Sequence, residues 1–140
     1  MAAELLLDTD AFVALVDRSE RQHDACVAVL EEWRGPIVTT EAVLTETLYL
    51  VGPAWHAQQT CLEFFFRGAF VLVPSSLKSL QRVAALMEKY NDIPMDYADA
   101  TLVALGEELQ TNRIFTLDQR GFVAYRLRGR KSFEIFPGNL

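Results

Sequence analysis

The sequence predicts a three-layer α/β/α fold around a mostly parallel central sheet, and three observations carry that reading. Short apolar segments alternate with longer segments of helical pattern. The short segments, such as Leu5-Leu6-Leu7 and Phe70-Val71-Leu72-Val73, are apolar on both faces, as strands covered by helices on either side must be. Gly-Pro pairs at 35–36 and 52–53 punctuate the alternation. A chain of 140 residues suffices for one domain with a substantial core, and 1–140 shows no internal repeat, linker or low-complexity stretch.

The elements follow in order. Glu4 to Asp8 reads as a short buried strand ending on an acid. An apolar segment, Phe12 to Val16, comes next, with Asp10 placed to cap a short helix beginning near Phe12. A helix fits Glu20 to Trp33, with Cys26, Val27, Leu30 and Trp33 on one stripe. Ile37-Val38-Thr39 is a second strand, and Thr40 caps a helix over Glu41 to Val51. Trp55 to Arg67 reads as helical despite three consecutive phenylalanines, and Phe70 to Val73 as a buried strand. Ser75 or Ser76 then caps a helix whose stripe is Leu80, Val83, Ala84, Met87 and Tyr90. After a break at Asn91 to Pro94, a helix spans Asp96 to Leu109, and strands fit Arg113 to Leu117 and Phe133 to Phe136.

Composition narrows the function classes. The apolar share of 51% is that of a globular protein and too high for disorder. The longest apolar run, near Phe70 to Pro74, is far too short to span a bilayer, and no secretory signal pattern is expected. Cys26 and Cys61 both lie in apolar helical patterns and read as reduced core thiols, which points to a cytoplasmic home. A net charge of −6 argues at first against nucleic acid, but its distribution is uneven. Between Arg113 and Lys131 there are six basic residues (Arg113, Arg120, Arg126, Arg128, Arg130, Lys131) and a single acid, Asp118. Arg120 and Arg126 are candidate phosphate contacts; the plain alternative for the whole run is a solvated face.

In a parallel sheet, ligands bind outside the carboxyl ends of the strands. That rule puts Asp8 and Asp118 on one rim, where helices carrying Glu46 and Asp99 can open toward them. A carboxylate cluster without His or Cys is hard-ligand chemistry, suited to Mg²⁺ or Mn²⁺, and its mutual repulsion calls for a cation or a proton. Neither His23 nor His56 has the context of a Ser-His-Asp or Cys-His arrangement.

Four stretches in order then resemble the PIN-domain family, and within it the VapC-type toxin ribonucleases. They are Leu5-Leu6-Leu7-Asp8-Thr9-Asp10, Val38-Thr39-Thr40 leading to Leu44-Thr45-Glu46, Met95-Asp96-Tyr97-Ala98-Asp99-Ala100, and Ile114-Phe115-Thr116-Leu117-Asp118 followed by Gly121-Phe122. Each alone is weak, and the set in order spans nearly the whole chain. The resemblance implies a PIN-like fold and Mg²⁺- or Mn²⁺-dependent cleavage of RNA, with Asp8, Glu46, Asp99 and Asp118 as metal-site acids. It also implies a homodimer and a small VapB-like antitoxin partner.

Each residue has a plainer alternative. Asp8 could be a turn former, and Asp10 either a support behind the ligands or a helix cap. Glu41 competes with Glu46, and Asp96 with Asp99; the resemblance assigns the site role to Glu46 and Asp99, leaving Asp96 as cap or support. Thr116 could hold Asp118 through its hydroxyl, or be a β-favouring strand residue. Trp33 and Trp55 read as core or interface residues, and the aromatic segment from Trp55 to Phe70 as core packing before it reads as a partner groove. Two other functions compete: a phosphatase of the haloacid-dehalogenase type, with Asp8 as nucleophile and Asp10 as general acid, and a catalytically silent PIN-like module that binds RNA or protein. The first lacks the expected Thr or Val where Phe12 stands.

Overall fold

The computed structural model describes residues 3–138, with a five-stranded, all-parallel sheet at its centre. The chain runs β1 (Leu5–Leu7), α1 (Thr9–Val16), α2 (His23–Glu32), β2 (Ile37–Thr40), α3 (Glu41–Leu50), α4 (Trp55–Phe66) and β3 (Val71–Val73). It continues through α5 (Leu77–Lys89), α6 (Tyr97–Leu109), β4 (Arg113–Phe115) and α7 (Gln119–Ala124). A two-stranded hairpin, β5 (Arg126–Leu127) with β6 (Lys131–Ser132), precedes the last strand, β7 (Glu134–Phe136).

The sheet order is β3-β2-β1-β4-β7. From β1 the chain steps outward to β2 and β3, then crosses back over β1 to reach β4 and steps the other way to β7. Right-handed crossovers therefore put α1–α4 on one face and α5–α6 on the other, which makes the three layers. The direction of travel reverses between β1 and β4, so the crevice between their carboxyl ends is the topological switch point. Hydrogen bonds hold that edge in register: Asp8 N–H donates to the Phe115 carbonyl at 2.9 Å, and the Thr39 hydroxyl donates to the Leu7 carbonyl at 2.8 Å.

Leu5, Leu6, Leu7, Ile114 and Phe115 are fully buried, each contributing about 1.5–3 kcal/mol of apolar burial. Nearly every residue of α6 from Ala98 to Glu107 is buried, and its apolar residues occupy all sides, as befits a helix packed between other elements. Gly106 lets α6 close on the sheet: a Cβ there would lie 2.8 Å from the Thr111 carbonyl and 3.1 Å from Leu6 Cδ1. Glu107, also buried, accepts two hydrogen bonds from Arg82 of α5, at 2.6 and 2.8 Å, and one from the backbone of Arg128, at 2.9 Å. This ties α5, α6 and the β5–β6 hairpin together.

The structure corrects several expectations. Helix α1 starts at Thr9, capped by Asp8, so Asp10 lies within its first turn and is not the cap of a helix at Phe12. Helix α2 begins at His23 instead of Glu20, after turns through 17–22. Strand β3 is an edge strand, with Val71 48% and Leu72 38% exposed; its apolar run resembled a covered strand, but only Phe70 turns fully inward. The buried stripe of α5 runs through Val83, Leu86 and Tyr90, leaving Leu80 and Ala84 exposed, because α6 packs on it one row further round. Helix α7 and the β5–β6 hairpin were not foreseen. The aromatic segment divides: Phe64, Phe65 and Phe70 gather round Phe12 with ring centroids 4.8–5.9 Å apart, while Trp55 and Phe66 are 62% and 75% exposed. Cys26 and Cys61 are buried free thiols, each pushed up to about 11 mainly by burial.

Candidate functional site

Asp8 leaves β1 at the switch point and is itself buried, with 5% of its surface exposed. Its Oδ1 accepts from Thr9 N–H at 2.8 Å, which caps α1, and its Oδ2 accepts from the Thr116 hydroxyl at 2.7 Å. The same hydroxyl lies 3.2 Å from Asp10 Oδ1 and accepts from Asp118 N–H at 3.0 Å. The strand expected to reach Leu117 ends at Phe115, and Thr116, just past it, joins Asp8 at the end of β1 to the backbone of Asp118. Asp10, in the first turn of α1, accepts from Leu117 N–H at 2.9 Å and braces the loop that delivers Asp118. Asp118 caps α7 through a bond from Gly121 N–H at 3.3 Å.

Two further acids come from helices. Asp96 is the N-cap of α6, accepting from Asp99 N–H at 2.8 Å, and it is exposed. Asp99 is half-buried three residues on and receives the Tyr125 hydroxyl on Oδ2 at 3.0 Å. Glu46 lies in the second turn of α3, and its Oε1 accepts from the Thr9 hydroxyl at 2.5 Å, beside Asp8. Glu41 sits in the first turn of the same helix and is exposed.

Electrostatics shows how close the acids come. Burial first, then the charge of Asp10 and more weakly that of Asp99, push the Asp8 carboxyl well above its usual range, against the bonds from Thr116 and Thr9. Asp10 is raised by burial, with a smaller contribution from Asp118, against its bonds from Leu117 and Thr116. Burial followed by the charge of Asp96, with Asp118 adding less, pushes Asp99 up to about 7, against the bond from Tyr125. Ion pairs among the described residues join Arg67 to Glu63, Arg82 to Glu107 and Arg113 to Glu134, so none of them neutralises this cluster.

Among the described residues, no three acidic side chains stand as a ready-made cage round one point. Mg²⁺ does not need one: it binds through one or two carboxylates, keeps several waters and takes further oxygens from a substrate phosphate. Uncompensated carboxylates sharing one field suit such a hard cation by their chemistry. The basic residues divide. Arg120 lines an open cleft of about 540 Å³ together with Asp118, Leu117, Gln119 and Gln22. Arg126 turns its guanidinium back onto the carbonyls of Val123 and Tyr125, at 2.6 and 2.9 Å, and so caps α7 instead of facing the rim. Trp33 is half-buried against the Phe136 ring, 5.4 Å between centroids.

Thr9 and Tyr125 were missed as parts of this site. Thr9 could have been found as the residue next to Asp8. Nothing local marks Tyr125, which is 26 residues from the acid it touches. The phosphatase alternative is not favoured: Asp10, which it needs as general acid, is committed through Oδ1 to Leu117 N–H and the Thr116 hydroxyl and braces the 116–118 loop.

The comparisons agree with this architecture. The family model of the PIN domain matches residues 5–127. The chain is 30% identical over 135 residues to Ribonuclease VapC26 of Mycobacterium tuberculosis, covering 95% of this chain and all of that one. It superposes on the crystal structure of VapC20 of Mycobacterium tuberculosis, a toxin that cleaves the sarcin-ricin loop, with a TM-score of 0.78 at 13% identity, covering 88% of this chain and 97% of that one. A chain from a toxin-antitoxin complex of Klebsiella pneumoniae gives 0.66 at 19% identity, covering 86% and 91%. Both solved structures share the fold.

Proposed function

The chain belongs to the PIN-domain family, of VapC type, and from that premise we propose that it is a Mg²⁺- or Mn²⁺-dependent endoribonuclease, the toxin of a VapBC-type pair. One observation carries the reading: buried and half-buried acids gather at the switch point of a parallel sheet, and no basic side chain among the described residues forms an ion pair with them. Asp8, Asp99, Asp118 and Glu46 are the acids that would hold the metal, one or two of them directly and the others through its waters. When bound, it would polarise a phosphodiester oxygen and lower the pKa of an attacking water. Thr116 and Thr9 orient Asp8 and Glu46, Asp10 fixes the 116–118 loop, and Asp96 anchors the start of α6. Arg120, on the cleft beside Asp118, is the basic residue placed to meet a phosphate.

The proposed partners are RNA, a small VapB-like antitoxin and a second copy of the chain. Exposed apolar side chains on α3 and α4, among them Tyr49, Leu50 and Trp55, support a protein-binding face. The proposed place of action is the cytoplasm; no helix among the described residues is long and apolar enough to cross a membrane.

The test is brief induction in a bacterial host lacking the antitoxin, with sequencing of new RNA ends for wild type against Asp99→Asn. Wild type should arrest growth and produce a defined set of ends that Asp99→Asn does not. Soluble, folded wild type that binds Mn²⁺ yet yields no new ends would favour a silent binding module instead.

A further inference from the structure

We infer that Tyr125 is a positioning residue for Asp99, its buried hydroxyl fixing the direction in which that carboxylate faces the rim. This rests on the reading of Asp99 as a metal ligand. Tyr125 is 1% exposed, and its hydroxyl donates to Asp99 Oδ2 at 3.0 Å. A phenol hydroxyl buried this deeply needs a partner. By taking one lone pair of Oδ2, it leaves Oδ1 and the remaining lone pair of Oδ2 for a cation.

The ring is held so that the hydroxyl has little freedom. Tyr90 and Phe122 pack edge-on against it, with centroids 5.1 and 5.2 Å away. Tyr90 is fixed in turn, its hydroxyl accepting from Arg126 N–H at 3.0 Å. Helix α7 carries Asp118 at its N-cap and Tyr125 at its C-cap, so one rigid turn and a half sets both an acid of the site and the support of another. Gly121, between them, makes room: a Cβ there would lie 3.0 Å from Asp118 Oδ2 and 3.1 Å from the Tyr125 hydroxyl. Partners of this kind orient metal ligands, and their loss costs about 10–100-fold in metal affinity or activity.

The test is Tyr125→Phe, which removes the O–H and keeps the ring, read by calorimetric titration of Mn²⁺ into the whole chain without RNA. Phe70→Leu, in the aromatic cluster round Phe12 and away from Tyr125, serves as a packing control and Asp99→Asn as a ligand control. The expected result for Tyr125→Phe is roughly ten-fold weaker Mn²⁺ binding, and a kcat lowered with KM for RNA unchanged. Its melting temperature should fall no further than that of Phe70→Leu, which should bind Mn²⁺ nearly as wild type does. Tyr125→Phe binding Mn²⁺ within two-fold of wild type overturns the inference, as does a loss of affinity that tracks melting temperature equally in both packing variants. If Asp99→Asn binds Mn²⁺ like wild type, or wild type binds none, the ligand reading itself fails and takes the inference with it. A defective Asp99→Asn beside an unaffected Tyr125→Phe overturns the inference alone.

Discussion

Metal binding by this chain should tighten steeply with pH between 6 and 8, and Asp99 sets the least amount. Its carboxyl is pushed up to about 7, chiefly by burial and next by the neighbouring charge of Asp96. The ionised fraction then rises from about one part in eleven at pH 6 to about ten in eleven at pH 8. A metal that needs the carboxylate competes with that proton, so apparent affinity should rise roughly ten-fold over this window from Asp99 alone. Asp8, raised in the same direction, adds to the slope. The assay is titration of Mn²⁺ at pH 6, 7 and 8, each in two buffers of different ionisation heat, so that the difference counts the protons released. About one proton or more should leave on binding at pH 6. Stability carries the opposite sign in the metal-free protein. A carboxyl whose pKa is raised in the folded state favours folding while protonated, and that contribution is lost as pH rises through the folded value. The melting temperature without metal should therefore fall between pH 5 and 8, and Mn²⁺ should raise it more at 8 than at 6. Affinity flat from pH 6 to 8 with no proton release would refute the reasoning, because the raised carboxyls would then lie outside the site.

Other perturbations test separate parts. Glu46→Gln should abolish RNA cleavage in a gel assay while leaving the fold intact, since ligands of one site act as a unit; full activity would remove Glu46 from the site. Arg82→Ala leaves the buried Glu107 carboxylate without its bidentate partner, and urea unfolding should show a loss of about 1–3 kcal/mol. The Arg82 side chain is itself 43% exposed, so the lower half of that range is expected, with Mn²⁺ affinity unchanged. Gly121→Ala should reduce cleavage far more than melting temperature, because its Cβ would press on Asp118 and Tyr125 together; equal losses in both would show a purely structural clash.

The sequence alone determined the order of the elements apart from α7 and the β5–β6 hairpin, the mostly parallel sheet, and the position of Asp8 at the end of a strand. Those features are local: an apolar run, a turn pair or a capping residue specifies its own segment. Asp118, expected at the end of a strand reaching Leu117, instead lies past the end of β4 as the N-cap of α7. Of the two roles open to Asp96, cap or support, the structure shows the cap, and the Thr116 hydroxyl meets Asp118 only at its backbone N–H while donating to Asp8. Only the tertiary structure decided which way the edges face. The run Val71-Leu72-Val73 looks like any covered strand, and its exposure follows from standing last in the sheet order, a fact set by crossovers and not by its own residues. Likewise Arg126 lies in the same basic run as Arg120, yet one folds onto helix carbonyls and the other stays on the cleft. The contacts between the 5–10 and 116–118 segments span more than 100 residues, and those of Thr9 with Glu46 and Tyr125 with Asp99 span 37 and 26. Periodicity and capping act over one or two turns, so they cannot encode pairings at that range. Those pairings arise when the sheet brings β1 and β4 side by side, α3 packs on α1, and the end of α7 meets the start of α6.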